Sequence, residues 1–379
     1  MNEIVERNFV SQLKFLEEMV NIDSGSTNVV GVDAVSNMVE KELADLGFKV
    51  STQFYKKAGN CLVADFCEDV EDKIVLIGHM DTVFADGTAK KRPFKTEGDK
   101  AYGPGVLDMK GGISQIVFAL KTLKEQGVPL NKIAVLLVGD EEVGHINSNV
   151  VDVIESLAKK TAVAFCCESG RIDGKVVTGR KGIAGVALKS HGKSAHAGNA
   201  YKDGVNAIVE LAHKIISVQA FTTPDLSLTL SVGNVTGGGA INVVPDFAQA
   251  NFDIRIQDFN KYKEFENFLK ELCSKPDVPG AKTEYDLWLE YPSMTHSEQQ
   301  QTLIDSLNIM CKENGYPPIE TCSVGGGADS SHFAVYGIPV LCAFGPRGEH
   351  NHTEDEYIIV ESLKERTLFL AECIEWCLR

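Results

Sequence analysis

The chain has 379 residues, with 37 Lys or Arg against 53 Asp or Glu, a formal net charge of −16. That length exceeds what one hydrophobic core usually organises, so two domains, or one domain with a large insertion, are expected. The longest apolar runs, at 133–138 and 338–344, are too short to span a bilayer. An acidic chain without a basic arm or stripe is also unsuited to gripping nucleic acid or anionic lipid.

The opening Met1-Asn-Glu-Ile-Val-Glu-Arg7 is acidic where a signal peptide needs basic residues ahead of an apolar core. The ten cysteines contain no Cys-x-x-Cys, which argues against both a disulfide framework and a thiolate metal site. The expectation is a cytoplasmic protein with reduced thiols.

Apolar periodicity predicts helices over 3–20 and 31–46, the second closed by Gly47. Short apolar runs at 73–78, 133–139, 161–167 and 338–344 read as buried strands, with a helical segment at 109–125 among them. This is the pattern of an α/β framework around a mixed, largely parallel sheet with crossover helices. From about Lys181 the texture changes to alternating, one-face-buried strands at 183–191, 227–234 and 247–256, with helices at 204–220 and 260–272. An α+β insert at 181–291 is therefore expected inside one discontinuous domain made of 1–180 and 292–379.

Each core strand is followed within a few residues by a group able to bind metal. In open α/β sheets, ligands gather beyond the carboxyl ends of the strands. There the chain delivers His79 and Asp81, then Glu141 and Glu142, then Glu168, and His352 follows the last core strand. Asp108 sits at a helix start after a glycine-rich turn. Any one of these, taken alone, reads as a cap, a turn residue or a satisfied buried histidine. Together, two histidines with carboxylates and no cysteine suit zinc, with cobalt or manganese as alternatives, better than calcium or magnesium.

Several motifs run in order along the chain: Gly78-His-Met-Asp-Thr-Val83, Gly98 to Gly105 leading to Asp108-Met-Lys-Gly-Gly112, Asp140-Glu-Glu-Val-Gly144, and Glu168-Ser-Gly170. Ser194-Ala-His-Ala-Gly198, Asn242-Val-Val-Pro-Asp246, Asp253-Ile-Arg255 and Gly325-Gly-Gly-Ala-Asp329 follow. The ordered set resembles the zinc-dependent exopeptidases and deacylases, which include aminoacylase, acetylornithine deacetylase, succinyl-diaminopimelate desuccinylase and glutamate carboxypeptidase. The glycine-rich segments are most similar to the carboxypeptidase G type.

The resemblance implies a zinc-exopeptidase catalytic domain and makes the insert a lid and dimerisation domain. It also implies two zinc ions per subunit, one held by His79, Asp108 and Glu168 and the other by Asp108, Glu142 and His352, with Asp108 bridging. The three carboxylates and a bridging hydroxide then balance the two ions without Glu141, which is left to act as the base. Asp81 would orient the His79 ring. His196 would stabilise an oxyanion, in related proteins often from the partner subunit, while Asn242 and Arg255 would hold a substrate carboxylate. For Arg255 the alternative is a strand-end salt bridge. Backbone donors of the glycine loop around Gly326 would face the substrate, and a tight structural turn explains that loop almost as well.

The C-terminal segment His350-Asn-His352 offers two terminal ligands, and the family spacing before Glu356-Tyr357 favours His352, leaving His350 as a loop or substrate-side residue. His145, His191, His213, His296 and His332 have no motif role and read as structural or surface residues. Gly103-Pro-Gly105 is not a dinucleotide loop, because the sixth position is Asp108. Gly192-Lys-Ser194 is not a P-loop, because the upstream glycine position is Ala187. The activity implied is cleavage of an amide beside a free α-carboxylate, with glutamate carboxypeptidase action ahead of N-acyl-amino-acid deacylation or small-peptide hydrolysis. The substrate is a small peptide or N-acyl amino acid, and the partner a second copy bound through the insert. A binding protein that kept the metal site and lost turnover is the alternative outside enzymes, against which the retained Glu141 argues.

Overall fold

A computed structural model describes all 379 residues. The chain forms two compact units, one of Met1–Gly179, Met294–Val324 and Ala328–Arg379, the other of Arg180–Ser293 with the turn Gly325–Gly327.

The first unit is built on a six-stranded sheet in the spatial order Lys49–Gln53, Cys61–Asp65, Ile133–Val138, Lys73–His79, Thr161–Cys166, Val340–Leu341. The last four strands run parallel and the first two are antiparallel additions at one edge. Every residue of Lys73–His79 and of Ile133–Val138 is buried, as parallel strands covered on both faces must be. Alternate side chains serve opposite faces. Ile74, Leu76, Val135, Leu137 and Phe165 join the core under the helices Asn2–Val20, Gly111–Gln126 and Val360–Cys377. Val75, Ile77, Leu136, Val138 and Cys166 join a second core with Val150 and Ile154 of Val150–Ala158 and Phe333 of Ser330–Ala334.

The predicted strand at 338–344 shrinks to Val340–Leu341. Pro339 has no N–H to give the ladder, and beyond Leu341 the chain leaves it, Cys342 exchanging backbone hydrogen bonds with Val177 (2.9 and 3.0 Å). The helix predicted from 109 begins at Gly111, after an irregular turn at Val106–Lys110.

In the second unit four antiparallel strands lie in the order Leu228–Gly237, Phe247–Ile256, Gly182–His191, Lys282–Tyr291. Helices Ala207–Gln219 and Phe259–Ser274 place Leu211, Val218, Phe265 and Leu269 against Val186, Leu188, Ala250 and Ile254. The fourth strand was not expected. Lys282, Glu284, Asp286 and Glu290 dilute its apolar pattern, and most of its side chains are exposed or half-buried.

None of the ten cysteines is exposed, and none is disulfide-bonded. Burial pushes the Cys377 thiol up to about 12 and raises those of Cys61, Cys167 and Cys373 further. No helix is long and apolar enough to cross a membrane.

Candidate metal centre

His79 ends the central strand, paired with Val138 of its neighbour, so its ring emerges at the carboxyl edge of the sheet. Its Nε2 lies 3.2 Å from Asp108 Oδ1 and 3.3 Å from Glu168 Oε1. The other Asp108 oxygen lies 3.1 Å from His352 Nε2, which is itself 3.2 Å from Glu142 Oε2. Asp108 thus faces two histidines, one oxygen to each. Donor atoms about 2.0–2.1 Å from a tetrahedral zinc stand roughly 3.3 Å apart, so these separations suit a shared cation shell. Glu142 Oε1 is buried without a hydrogen-bond partner, which also fits a role as a cation ligand. Glu141 joins His79 and Glu168 in a cluster whose potential ligand atoms lie within 4.8 Å of one another.

Two close approaches deliver Asp108. Helix Gly111–Gln126 starts where Gly112 packs on the Cys167 backbone, leaving no room for a Cβ, and this brings the turn beside Glu168. Gly105 takes a left-handed conformation (φ 73) that only glycine adopts freely. Glu356, fully buried, then clamps the turn: it accepts N–H bonds from Gly105 (3.0 Å), Leu107 (2.8 Å) and Asp108 (2.9 Å). Asn351 Nδ2 adds a bond to Asp108 Oδ2 at 3.0 Å. In the sequence Glu356 marks only the spacing to His352, and nothing there singles out Asn351. An acid 248 residues further along the chain carries no local signal that it caps a glycine turn.

Asp81 does more than the expected orienting of His79. The His79 Nδ1 lies 3.0 Å from the Asp81 main-chain oxygen and 3.5 Å from its carboxylate. That carboxylate accepts the N–H groups of Glu141 and Glu142, both at 3.1 Å, and the Ser26 hydroxyl at 2.7 Å. Its principal contacts therefore hold the turn that carries Glu141 and Glu142.

The protein groups alone form a strongly coupled set. Burial raises the Glu141 carboxyl well above the usual carboxylate range; the charge of Glu168 adds to this and that of His79 opposes it. Hydrogen bonds to Asp108 and Glu142 push His352 up to about 11. Burial works against a charged His79, but Glu168, Asp108 and Asp81 outweigh it and hold the ring well above its ordinary value.

The remaining predicted site residues lie in the second unit. Exposed His196 accepts the N–H groups of Gly198 and Asn199 at Nδ1, both at 3.1 Å. In the neutral ring the proton then sits on Nε2, which becomes an outward donor. Asn242 is exposed, and its main-chain oxygen accepts from Ala197 N at 2.9 Å. Arg255 forks onto Asp253 through Nε and Nη2, each at 2.9 Å, the strand salt bridge that was the alternative reading. Arg180 donates to the carbonyls of Gly326 (3.0 Å) and Gly327 (2.9 Å), so it braces the glycine turn. His350, exposed, lies with its ring tilted against that of Tyr357 at 5.9 Å, while His352 is the histidine facing Asp108.

Two outcomes are expected. Glu356→Gln points an amide N–H₂ at backbone donors, which should cost about 1–3 kcal/mol in urea unfolding and weaken metal retention; an unchanged midpoint would show that the clamp is dispensable. Because His352 is a cation at neutral pH among these carboxylates and must be neutral to ligate, zinc uptake should release protons and tighten as pH rises. Calorimetry in buffers of different ionisation enthalpy measures this directly, and buffer-independent heats would contradict it.

A sequence model of peptidase family M20/M25/M40 matches residues 75–376. Carboxypeptidase G2 of Pseudomonas sp. (strain RS-16) is 32% identical over 369 residues, spanning 96% of this chain and 88% of the relative. The aminopeptidase PepT structure from Bacillus cereus ATCC 10987 superposes with a TM-score of 0.76 at 22% identity, over 100% of this chain and 99% of its own. The Bacillus subtilis YXEP protein, described as a dinuclear metal-binding peptidase, does so at 0.70 and 15% identity, over 98% of each chain. These two likenesses bear on the fold, which the α/β catalytic architecture shares. With four-fifths of its length matched by the family model and a relative above 30% identity along nearly all of it, the chain belongs to peptidase family M20/M25/M40 and is a metallopeptidase.

Proposed function

We propose that the protein is a dizinc exopeptidase that removes a C-terminal amino acid by cleaving the amide beside its free α-carboxylate. The observation that carries this reading is the placement of Asp108 between His79 and His352, at 3.2 and 3.1 Å, with Glu168 and Glu142 completing the two sides. His79, Asp108 and Glu168 would hold one ion, and Asp108, Glu142 and His352 the other. Two zinc ions so held would supply the Lewis acidity that makes a water easier to deprotonate near neutrality and a scissile carbonyl easier to attack.

Glu141 is the residue that moves protons. It lies beside the ligands without a place in either triad, and burial raises its proton affinity above that of an ordinary carboxylate, the direction that favours a base. It takes a proton from the attacking water and returns it to the departing nitrogen, so that no amide anion is expelled. His196 offers Nε2–H to the oxyanion, and Asn242 and Arg255 receive the substrate carboxylate, Arg255 exchanging its bond to Asp253 for one to substrate. The name of the carboxypeptidase G2 relative supports carboxypeptidase action, and the resemblance of the glycine-rich segments to the glutamate carboxypeptidases favours an acidic C-terminal residue. N-acyl-amino-acid deacylation and di- or tripeptide hydrolysis would use the same clamp.

The second unit serves in this reading as lid and dimerisation domain of a cytoplasmic homodimer. Its strand Leu228–Gly237 is an uncovered sheet edge, and Ile241, Val243 and Phe247 are exposed near it in sequence.

A panel of C-terminal glutamyl and neutral dipeptides, tripeptides and N-acyl amino acids, assayed on the zinc-loaded protein with metal content measured in parallel, tests the reading. Two ions per chain and preferred release of a C-terminal acidic residue are expected; full activity with one ion would defeat the dizinc scheme. Glu141→Gln should keep both ions and lose about 10²–10⁴-fold in kcat, and normal turnover would remove Glu141 from the chemistry. Arg255→Ala should raise KM for free carboxylates far more than for their amides. Equal losses would leave Arg255 a purely structural partner of Asp253.

A further inference from the structure

The loop that carries Glu141 and Glu142 is closed by a buried network that the mechanism above does not use. Glu141–Val143 form a single turn, ended by Gly144 (φ 65) and His145 (φ 58), and the His145 N–H returns to the Asp140 carbonyl at 3.1 Å. A left-handed conformation is unfavourable for a non-glycine residue, so side-chain contacts must hold His145 there. They do so at both ring nitrogens. Nδ1 lies 3.2 Å from Asp140 Oδ1, which also accepts the Ser148 hydroxyl at 2.9 Å, and Nε2 lies 2.7 Å from Asp329 Oδ1.

All three groups are at least nine-tenths buried: Asp140 is 1% exposed, Asp329 2% and His145 5%. An imidazole can donate to a carboxylate at each nitrogen only when both are protonated. The ring is therefore a cation between two anions, and Asp329 and Asp140 outweigh burial to push it up to about 10. His332, whose ring centroid is 5.8 Å away, is pushed down to about 4 by burial and stays neutral.

His145, Asp329 and His332 also bring potential ligand atoms within 4.8 Å of one another, so a third metal site has to be weighed. The distances decide against it. In the centre around Asp108 the facing atoms stand 3.1–3.3 Å apart, the spacing of groups sharing a cation, whereas His145 and Asp329 meet at 2.7 Å, the length of a charge-assisted hydrogen bond.

We propose that His145 is a positioning residue, whose imidazolium locks Asp140 to Asp329 and thereby fixes the turn that aims Glu141 at the attacking water. Asp140 immediately precedes Glu141, and Asp81 holds the same turn through the Glu141 and Glu142 N–H groups. The turn is thus pinned by one carboxylate at its crown and, through His145, by two at its foot. Released at the foot, Glu141 keeps its side chain and loses its aim. This rests on the reading of Glu141 as the base.

The test uses the full-length, zinc-loaded protein and the best substrate of the panel above. His145→Gln should keep both metal ions and hold KM within about twofold, while kcat falls about 10- to 100-fold, the usual cost of losing a supporting contact. In a Glu141→Gln background the same substitution should change the residual rate by less than about twofold, because the group it aims is already gone. An equal fold-loss in both backgrounds overturns the proposal, as does unchanged kcat or a KM effect as large as the kcat effect. So does a third equivalent of metal in the wild type that His145→Gln or His332→Ala removes. Should His145→Gln fail to fold, Asp329→Asn carries the same test at the other end of the lock. Wild-type turnover in Glu141→Gln alone would overturn both this proposal and the functional reading; a damaged Glu141→Gln beside an undamaged His145→Gln overturns only this one.

Discussion

One carboxylate has to present an oxygen to each of two histidines that reach it from opposite ends of the chain, His79 from the central strand and His352 from the C-terminal segment. Asp108 meets that requirement on a turn with little regular hydrogen bonding of its own, and the surrounding structure supplies what the turn lacks. Glu356 takes up three of its backbone donors, Gly112 lets the following helix press onto the Cys167 backbone, and Asn351 holds the oxygen that faces His352. The six-stranded sheet matters to the site chiefly because it fixes where His79, Glu141 and Glu168 emerge relative to that turn.

A division of labour among the buried acids follows. Asp108, Glu142 and Glu168 face histidines. Asp81, Glu356 and Asp140 instead accept donors from the polypeptide around them: two N–H groups and a hydroxyl for Asp81, three N–H groups for Glu356, a hydroxyl and an imidazole for Asp140. A buried carboxylate is costly unless it is bonded, and these three meet that cost by ordering the loops that carry the others. Asp140 lies directly before Glu141, whereas Asp81 and Glu356 reach the loops they order from 60 and 248 residues away along the chain.

Much of this was legible in the sequence, for identifiable reasons. The parallel strands are buried on both faces and so read as unbroken apolar runs, and the candidate ligands His79, Glu142 and Glu168 follow their carboxyl ends, where open α/β sheets gather ligands. The Lys282–Tyr291 strand escaped notice because its exposed side chains are largely charged, and the short Val340–Leu341 strand was overestimated because Cys342 and Phe344 are buried without belonging to the ladder. Supporting residues were the hardest to see. Glu356 and His145 act through main-chain and carboxylate contacts with segments distant in sequence, which no local spacing encodes, and the fork of Arg255 onto Asp253 depends on side-chain conformations that a motif does not specify.

The distribution of sulfur has a consequence for handling the molecule. Six of the ten cysteines are buried and four are half-buried, and their thiols are protonated wherever burial has raised them. A thiolate is the form that alkylates and exchanges, so in the folded state the buried Cys61, Cys167 and Cys373, whose thiols burial has raised, are poor nucleophiles. Reaction of these three with a thiol reagent therefore requires the core to open, and its rate reports how often the sheet and its covering helices separate. Cys166 and Cys167, at the end of a central strand, lie beside Glu168, so protection there by bound metal would appear as slower labelling, giving a chemical measure of how far the ions brace the fold that needs no substrate at all.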